Sequence, residues 1–177
     1  MGRTFKKEGR LAEAETAWRQ ALDLLAAAAG ADPAAVQRRW CDCANDLAWL
    51  RLHHPDPALR DPAFAVALAR QVVETCPDCG VYWNTLGVAY IRAGDYPAAV
   101  AALERATALG NGSTAFDDVF LAMAHAHLGD REQARHRLAQ AMLGMQRDHP
   151  GHPELARFCD EVQSLLAAGP DLPVAIR

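Results

Sequence analysis

Between Leu155 and Leu166, apolar side chains fall at Leu155, Phe158, Cys159, Val162, Leu165 and Leu166, while Glu154, Arg157, Asp160, Glu161 and Gln163 take positions between them. That three-to-four-residue period is the signature of an amphipathic helix. Elsewhere the boundaries are as informative as the period. Asp32-Pro33 and Asp61-Pro62 each set a capping acceptor before a proline at the first helical position, where the missing N–H costs nothing. Asp95 and Asp130 follow Gly94 and Gly129, so each turn ends one helix and caps the next. These signals predict eight helices, over residues 10–29, 34–53, 62–76, 80–93, 97–109, 114–128, 131–147 and 153–168.

The pattern also repeats. The string Trp83-Asn84-Thr85-Leu86-Gly87-Val88-Ala89-Tyr90 is followed by Gly94-Asp95-Tyr96 and by Ala99, Leu103 and Ala106. A shift of 35 residues carries Leu86, Gly94-Asp95, Ala99, Leu103 and Ala106 onto Leu121, Gly129-Asp130, Ala134, Leu138 and Ala141. A shift of 34 in the other direction carries Ala99, Leu103, Ala106 and Asn111 onto Ala65, Ala69, Val72 and Pro77. Leu47-Ala48 matches Leu86-Gly87 at 39 residues, which puts about five extra residues in the loop His53 to Pro62. Gly9, Ala14, Trp18 and Ala21 keep the same spacing, as the second helix of a repeat whose first helix is missing. The frame leads to the expectation that the chain begins inside a repeat, either as the carboxy-terminal piece of a longer protein or as a trimmed form of one.

Trp83 to Ala106 closely resembles a tetratricopeptide repeat (TPR), the helix-turn-helix unit of about 34 residues with the pattern W-x2-L-G-x2-Y, then A-x3-F, then P. The resemblance implies an all-α, TPR-type helix-turn-helix solenoid, a right-handed superhelix of about eight helices. It would form a single domain, 1–168, made of a half-repeat at 1–29, full repeats at 41–79, 80–114 and 115–148, and a capping helix at 153–168, with a tail at 169–177. Asn45-x-Leu47-Ala48-Trp49-Leu50, Pro55-Asp56-Pro57, Arg60-Asp61-Pro62 and Tyr82 to Gly87 further resemble the repeat arrays at the carboxy-terminal ends of large bacterial multidomain proteins.

Close packing of two antiparallel helices needs small residues at the crossing. Gly87, Ala99 and Ala106 supply them in the middle repeat, Ala48 and Ala65 in the first, and Ala122, Ala134 and Ala141 in the last.

Composition agrees with helices. Of the 177 residues 51% are apolar, largely alanine, with few aromatics and few β-branched runs. The net charge is −4, and two lysines and 16 arginines are scattered, so no basic stripe suggests nucleic-acid binding. No stretch reaches the length of a signal peptide or a membrane span. A soluble, cytoplasmic protein is expected, with its five cysteines reduced.

In the family, the first helix of each repeat lines a concave face that holds a partner's peptide or helix. Carried over by position, the resemblance puts Asn45, Trp49 and Leu52, then Asn84, Val88 and Ile91, then Val119, Met123 and Ala126 on that face. The expected function is a protein–protein interaction scaffold that binds a peptide or helix in this apolar groove. The ligand comes from a partner or from its own parent chain, and the last helix of this chain is one possible occupant. A basic clamp for a chaperone's terminal carboxylate does not fit, because only Asn45 and Asn84 could serve and no lysine lies beyond Lys7. Self-association is a further possibility, through helix 10–29, where Leu11, Trp18, Leu22 and Leu25 lack their usual partner helix.

Candidate chemistry is sparse. Cys41-x-Cys43 and Cys76-Pro77-Asp78-Cys79 come from antiparallel helices, which makes a thiol-based zinc or redox site on the repeat frame the alternative function. Two residues on a helix span about 200°, so Cys41 and Cys43 cannot both face one ion. His125 stands where the repeat has Tyr90 and reads as core; His53-His54 and His149 with His152 read as solvated turns. No nucleophile elbow, phosphate loop or zinc-protease motif occurs, so neither an enzyme nor a cofactor is expected.

Overall fold

The structure is a computed structural model that describes residues 13, 16–20, 23, 32–110 and 114–168. Among these there is no strand. The helices are α1 (Pro33–His53), α2 (Pro62–Thr75), α3 (Gly80–Ala93), α4 (Tyr96–Leu109), α5 (Ala115–His127), α6 (Arg131–Asp148) and α7 (Pro153–Ala167). A 3-10 turn, Pro57–Leu59, sits between α1 and α2. Before α1, the described residues 13, 16–20 and 23 are helical, and the remainder of the expected helix 10–29 and the tail 169–177 lie outside the described residues.

The caps work as their residue types require. Asp61, Asp95 and Asp130 accept from the backbone N–H three residues on, at 2.9, 3.2 and 3.1 Å, and Asp32 accepts from Ala34 at 3.1 Å. Thr114 and Asp117 form a reciprocal capping box at the start of α5. After α3 and α5 the chain reverses through Gly94 and Gly129, whose φ values of 84° and 80° lie in the left-handed region. The backbone N–H groups of Asp95 and Asp130 return to the carbonyls of Tyr90 and His125, each at 3.0 Å. The same chemistry at the same offset gives the same turn twice.

Three hairpins follow, α1/α2, α3/α4 and α5/α6, and each second helix also packs against the next first helix. The first helices α1, α3 and α5 touch in succession and make one layer. The crossing within the middle hairpin is tight. A Cβ placed on Gly87 would lie 2.5 Å from Leu103 Cγ and 3.3 Å from the Ala99 carbonyl oxygen. Gly87 is therefore the residue that lets α3 approach α4.

The five-residue insertion is folded. Asp56 caps the 3-10 turn at Ala58 N, Arg51 donates to the Leu59 carbonyl at 3.0 Å, and Arg60 Nε donates to the His54 carbonyl at 2.7 Å. His54, expected in a solvated turn, is buried, and its Nδ1 accepts from Asp56 N at 3.1 Å. Trp18, expected on an unpartnered face, is 3% exposed and joins the core, because the helical stretch before α1 packs against the rest of the molecule. Leu11, Leu22 and Leu25 lie outside the described residues.

Candidate peptide-binding groove

The rings of Trp49 in α1 and Phe120 in α5 meet at 6.1 Å, although α3 separates their helices in sequence. Beside this contact lies α7, packed chiefly on α5 and α6. Its Phe158, fully buried, sits 4.8 Å from the Phe120 ring and 5.4 Å from the His53 ring, and His53 packs on Trp49 at 4.2 Å. Leu155, Cys159 and Val162 are buried alongside, and Arg157, Asp160 and Gln163 face out. The amphipathic period of residues 155–166 is thus satisfied inside the chain's own groove.

Polar contacts hold α7 in that place. Arg92, at the end of α3, donates to both carboxylate oxygens of Glu161, at 2.6 and 3.1 Å. Burial pushes the Glu161 carboxyl up, but the hydrogen bonds and charge of Arg92, with Arg157 and His53, reverse this and leave it below the usual glutamate value. Arg131 donates to the Leu166 carbonyl and ties the far end of α7 to the start of α6. His152 caps α7 through Nδ1 on Leu155 N at 3.3 Å, so it has a structural place and is not a free turn residue.

The groove residues expected from the repeat frame fall into two groups, apart from Ala126, which is half-buried and outside the cleft. Leu52, Val88, Ile91, Val119 and Met123 are buried, at 5% exposure or less, and offer no surface to a partner. All five belong to the shared buried core, and no surface is left there for the expected contact. Asn45, Trp49 and Asn84 are half-buried and line a cleft of about 530 Å³ that α7 leaves open. Asp46, Val81, Phe116, Asp117, His149 and Glu154 complete much of its wall.

Within the cleft the two asparagines have different states. Asn84 Nδ2 donates to Asp117 Oδ1 at 2.7 Å, and the other Asp117 oxygen is taken by Thr114 N and Oγ1 at 3.0 and 2.7 Å. Asn45 Oδ1 is buried with no hydrogen-bond partner among the described residues. Val81, 65% exposed, projects from the first turn of α3. Position-by-position transfer from the repeat could not find Val81, Phe116 or His149, because the repeat pattern does not describe the rim; for Val81 and Phe116 the sequence signal is an apolar residue in the first turn of a helix, and His149 follows the end of α6.

The adjacent carboxylates Asp117 and Asp118 are both buried, one in the capping box and the other paired with Arg137 at 3.1 Å. His127 stacks on Tyr96 at 4.3 Å, and burial lowers its pKa, with Arg92 adding to this and Glu161 opposing it. His125 is half-buried rather than core and lies 3.7 Å from Asp130, the cap of the following helix.

One turn before Asn45 on α1, the thiol of Cys41 is near enough to those of Cys76 and Cys79 to feel them. Cys41 is fully buried against the Val72 carbonyl, and burial, then the Cys76 thiol, pushes its pKa up to about 12. Cys43, Cys76 and Cys79 are half-buried. Among the described residues no three His, Cys, Asp or Glu side chains gather as ligands for a metal ion. No helix of the described residues is long and apolar enough to cross a membrane.

Residues 80–112 match the family model described as tetratricopeptide repeat. No curated protein and no solved structure matches the chain. The matched segment is the α3/α4 hairpin, with Gly87 at its crossing and Gly94 in its turn, and repeats of this kind act in protein–protein interaction. The chain is an all-α helical repeat solenoid that carries a tetratricopeptide repeat at residues 80–112.

Proposed function

We propose that this chain is a protein-binding scaffold, without catalytic chemistry, that takes a short segment of a partner in the cleft between Asn45, Trp49 and Asn84. The open cleft carries the reading. Its walls combine half-buried aromatics, the exposed Val81 and the side chains of Asn45 and Asn84, the mixture of apolar area and a few convergent polar groups that binding sites present. The rest of the groove is engaged by α7, which serves as a built-in ligand and cap. On this reading residues 1–168 work as one unit, with repeats at 41–79, 80–114 and 115–148 and the helix at 153–168 closing the array.

Affinity capture with the full chain and two surface variants tests the proposal. Val81→Arg places a charge in the cleft, and Leu143→Arg places one on the 60%-exposed Leu143 of α6, away from it. A partner retained by the parent chain and by Leu143→Arg, but lost with Val81→Arg, is the expected result. Loss with Leu143→Arg alone would move the binding surface to the outer helices and end this reading.

A further inference from the structure

Of the described helices α1 to α7, six start at a residue whose side chain accepts a backbone N–H, and α3 starts at Cys79, whose side chain makes no capping bond. Three residues earlier, Cys76 ends α2 and donates its backbone N–H to the Val72 carbonyl at 2.8 Å. Only Pro77 and Asp78 lie between the two cysteines, and they form a turn. The Cα atoms at the ends of such a turn are within about 7 Å of each other, close to the upper end of the range that a disulfide spans. The turn is pinned from both sides: Trp83 Nε1 donates to the Pro77 carbonyl at 2.8 Å, and Gln37 Nε2 donates to the Thr75 carbonyl at 2.6 Å. Cys76 and Cys79 are both half-buried and line one cavity of about 500 Å³, together with Arg38, Thr75 and Tyr82. A third thiol, Cys41, lies 3.9 Å from the same Val72 carbonyl, but it is fully buried and burial holds it protonated.

We infer that Cys76 and Cys79 form a reversible dithiol–disulfide pair, a modification site for low-molecular-weight disulfides, whose state is passed to the start of α3. One cysteine loses its proton to water and attacks a sulfur of the small disulfide; that S–S bond breaks and half of the molecule leaves as a thiolate. The second cysteine, deprotonated in turn, attacks the sulfur of the first and expels the other half. The protein gives up two electrons and two protons, and the small disulfide ends as two thiols. Excess small thiol runs both steps backwards. Cys79 rather than Cys41 closes the bond, because Cys79 shares the open cavity with Cys76 while Cys41 has no exposed surface. The next residue, Gly80, lines this cavity and the groove cleft alike. A Cβ on Gly80 would stand 2.8 Å from the Ala106 carbonyl oxygen, so the first turn of α3 is packed too closely on α4 to absorb the bond unnoticed. Neither step depends on what the cleft binds.

Equilibration of the full chain in glutathione buffers of rising disulfide content, followed by acid quenching and tryptic mapping without reductant, tests the pair. Cys76 and Cys79 fall in one tryptic peptide, residues 71–92, and Cys41 and Cys43 in another, residues 40–51. The expected product is peptide 71–92 lighter by two hydrogens, with Cys41 still a thiol and the change reversed by dithiothreitol. Cys79→Ser removes the partner of Cys76 and supplies a capping hydroxyl, so this variant should keep its fold and accumulate one glutathione on Cys76 instead. Hydrogen exchange from Gly80 to Thr85 should differ between the reduced and oxidised parent chain. A cross-link between the two peptides, a glutathione adduct that persists on peptide 71–92 of the parent chain, or thiols untouched across the whole series would overturn the pair. Unchanged exchange in the first turn of α3 would overturn the coupling to that helix and leave the pair standing.

Discussion

Glu161 accepts both hydrogen bonds of the Arg92 guanidinium across 69 residues of sequence, at 2.6 and 3.1 Å. The contact joins the end of α3 to α7, so two helices far apart in sequence share one ion pair. The folded-state pKa of Glu161 is depressed. Its contribution is therefore present above the unfolded glutamate value of about 4.3 and is lost as pH falls through the lower folded value. With Glu161 37% exposed, solvent screening limits the pair to about 0.5–1 kcal/mol. The melting temperatures of the parent chain and of Glu161→Gln should differ most at neutral pH and converge below about pH 4; a gap that widens in acid would contradict the pairing.

Phe158 is the anchor of α7. It is fully buried against Phe120 and His53, and truncation to alanine leaves a ring-sized void in a packed interior. Phe158→Ala should destabilise the protein by about 3–5 kcal/mol in denaturant unfolding. It should also raise hydrogen exchange along α7 before it does so in α3 and α4, because α7 reaches the rest of the chain chiefly through this face. A loss below about 1 kcal/mol would mean that α7 is held by something else.

Gly87 offers a test of the repeat itself. Alanine normally improves a helix interior by about 1 kcal/mol over glycine. Here the added Cβ would meet Leu103 Cγ at 2.5 Å and the Ala99 carbonyl oxygen at 3.3 Å. Overpacking of this kind costs about 1–3 kcal/mol, so Gly87→Ala should be destabilising in spite of propensity. A stabilised variant in thermal unfolding would show that the α3/α4 crossing yields more easily than this geometry allows.

The thiols should divide by burial. Cys41 and Cys159 are buried, with pKa values raised first by desolvation, while Cys43, Cys76 and Cys79 keep some surface. Because the thiolate is the reactive form, alkylation of the native protein near neutral pH should modify Cys43, Cys76 and Cys79 first and leave Cys41 and Cys159 until unfolding. Peptide mapping after a brief iodoacetamide pulse reads this directly, and early labelling of Cys41 would contradict the packing of α1 on α2.

The helices were legible in the sequence because their signals are local. Asp-Pro starts, Gly-Asp turns and the three-to-four-residue apolar period act within a few residues, and α1 to α7 begin and end within one residue of the expected bounds. Small residues at equivalent repeat positions made the helical crossings legible in the same way, as Gly87 against Leu103 shows. The groove was a different matter. Whether Val88 and Met123 meet a partner or are buried depends on how sharply the layer curves and on where α7 lies, and neither is written in any single helix. The Trp49–Phe120 contact and the seat of Phe158 against Phe120 and His53 join residues from helices distant in sequence. Local hydrogen bonding and periodicity determined which elements form; only the sum of long-range packing decided which part of the shared face closed on itself and which stayed open.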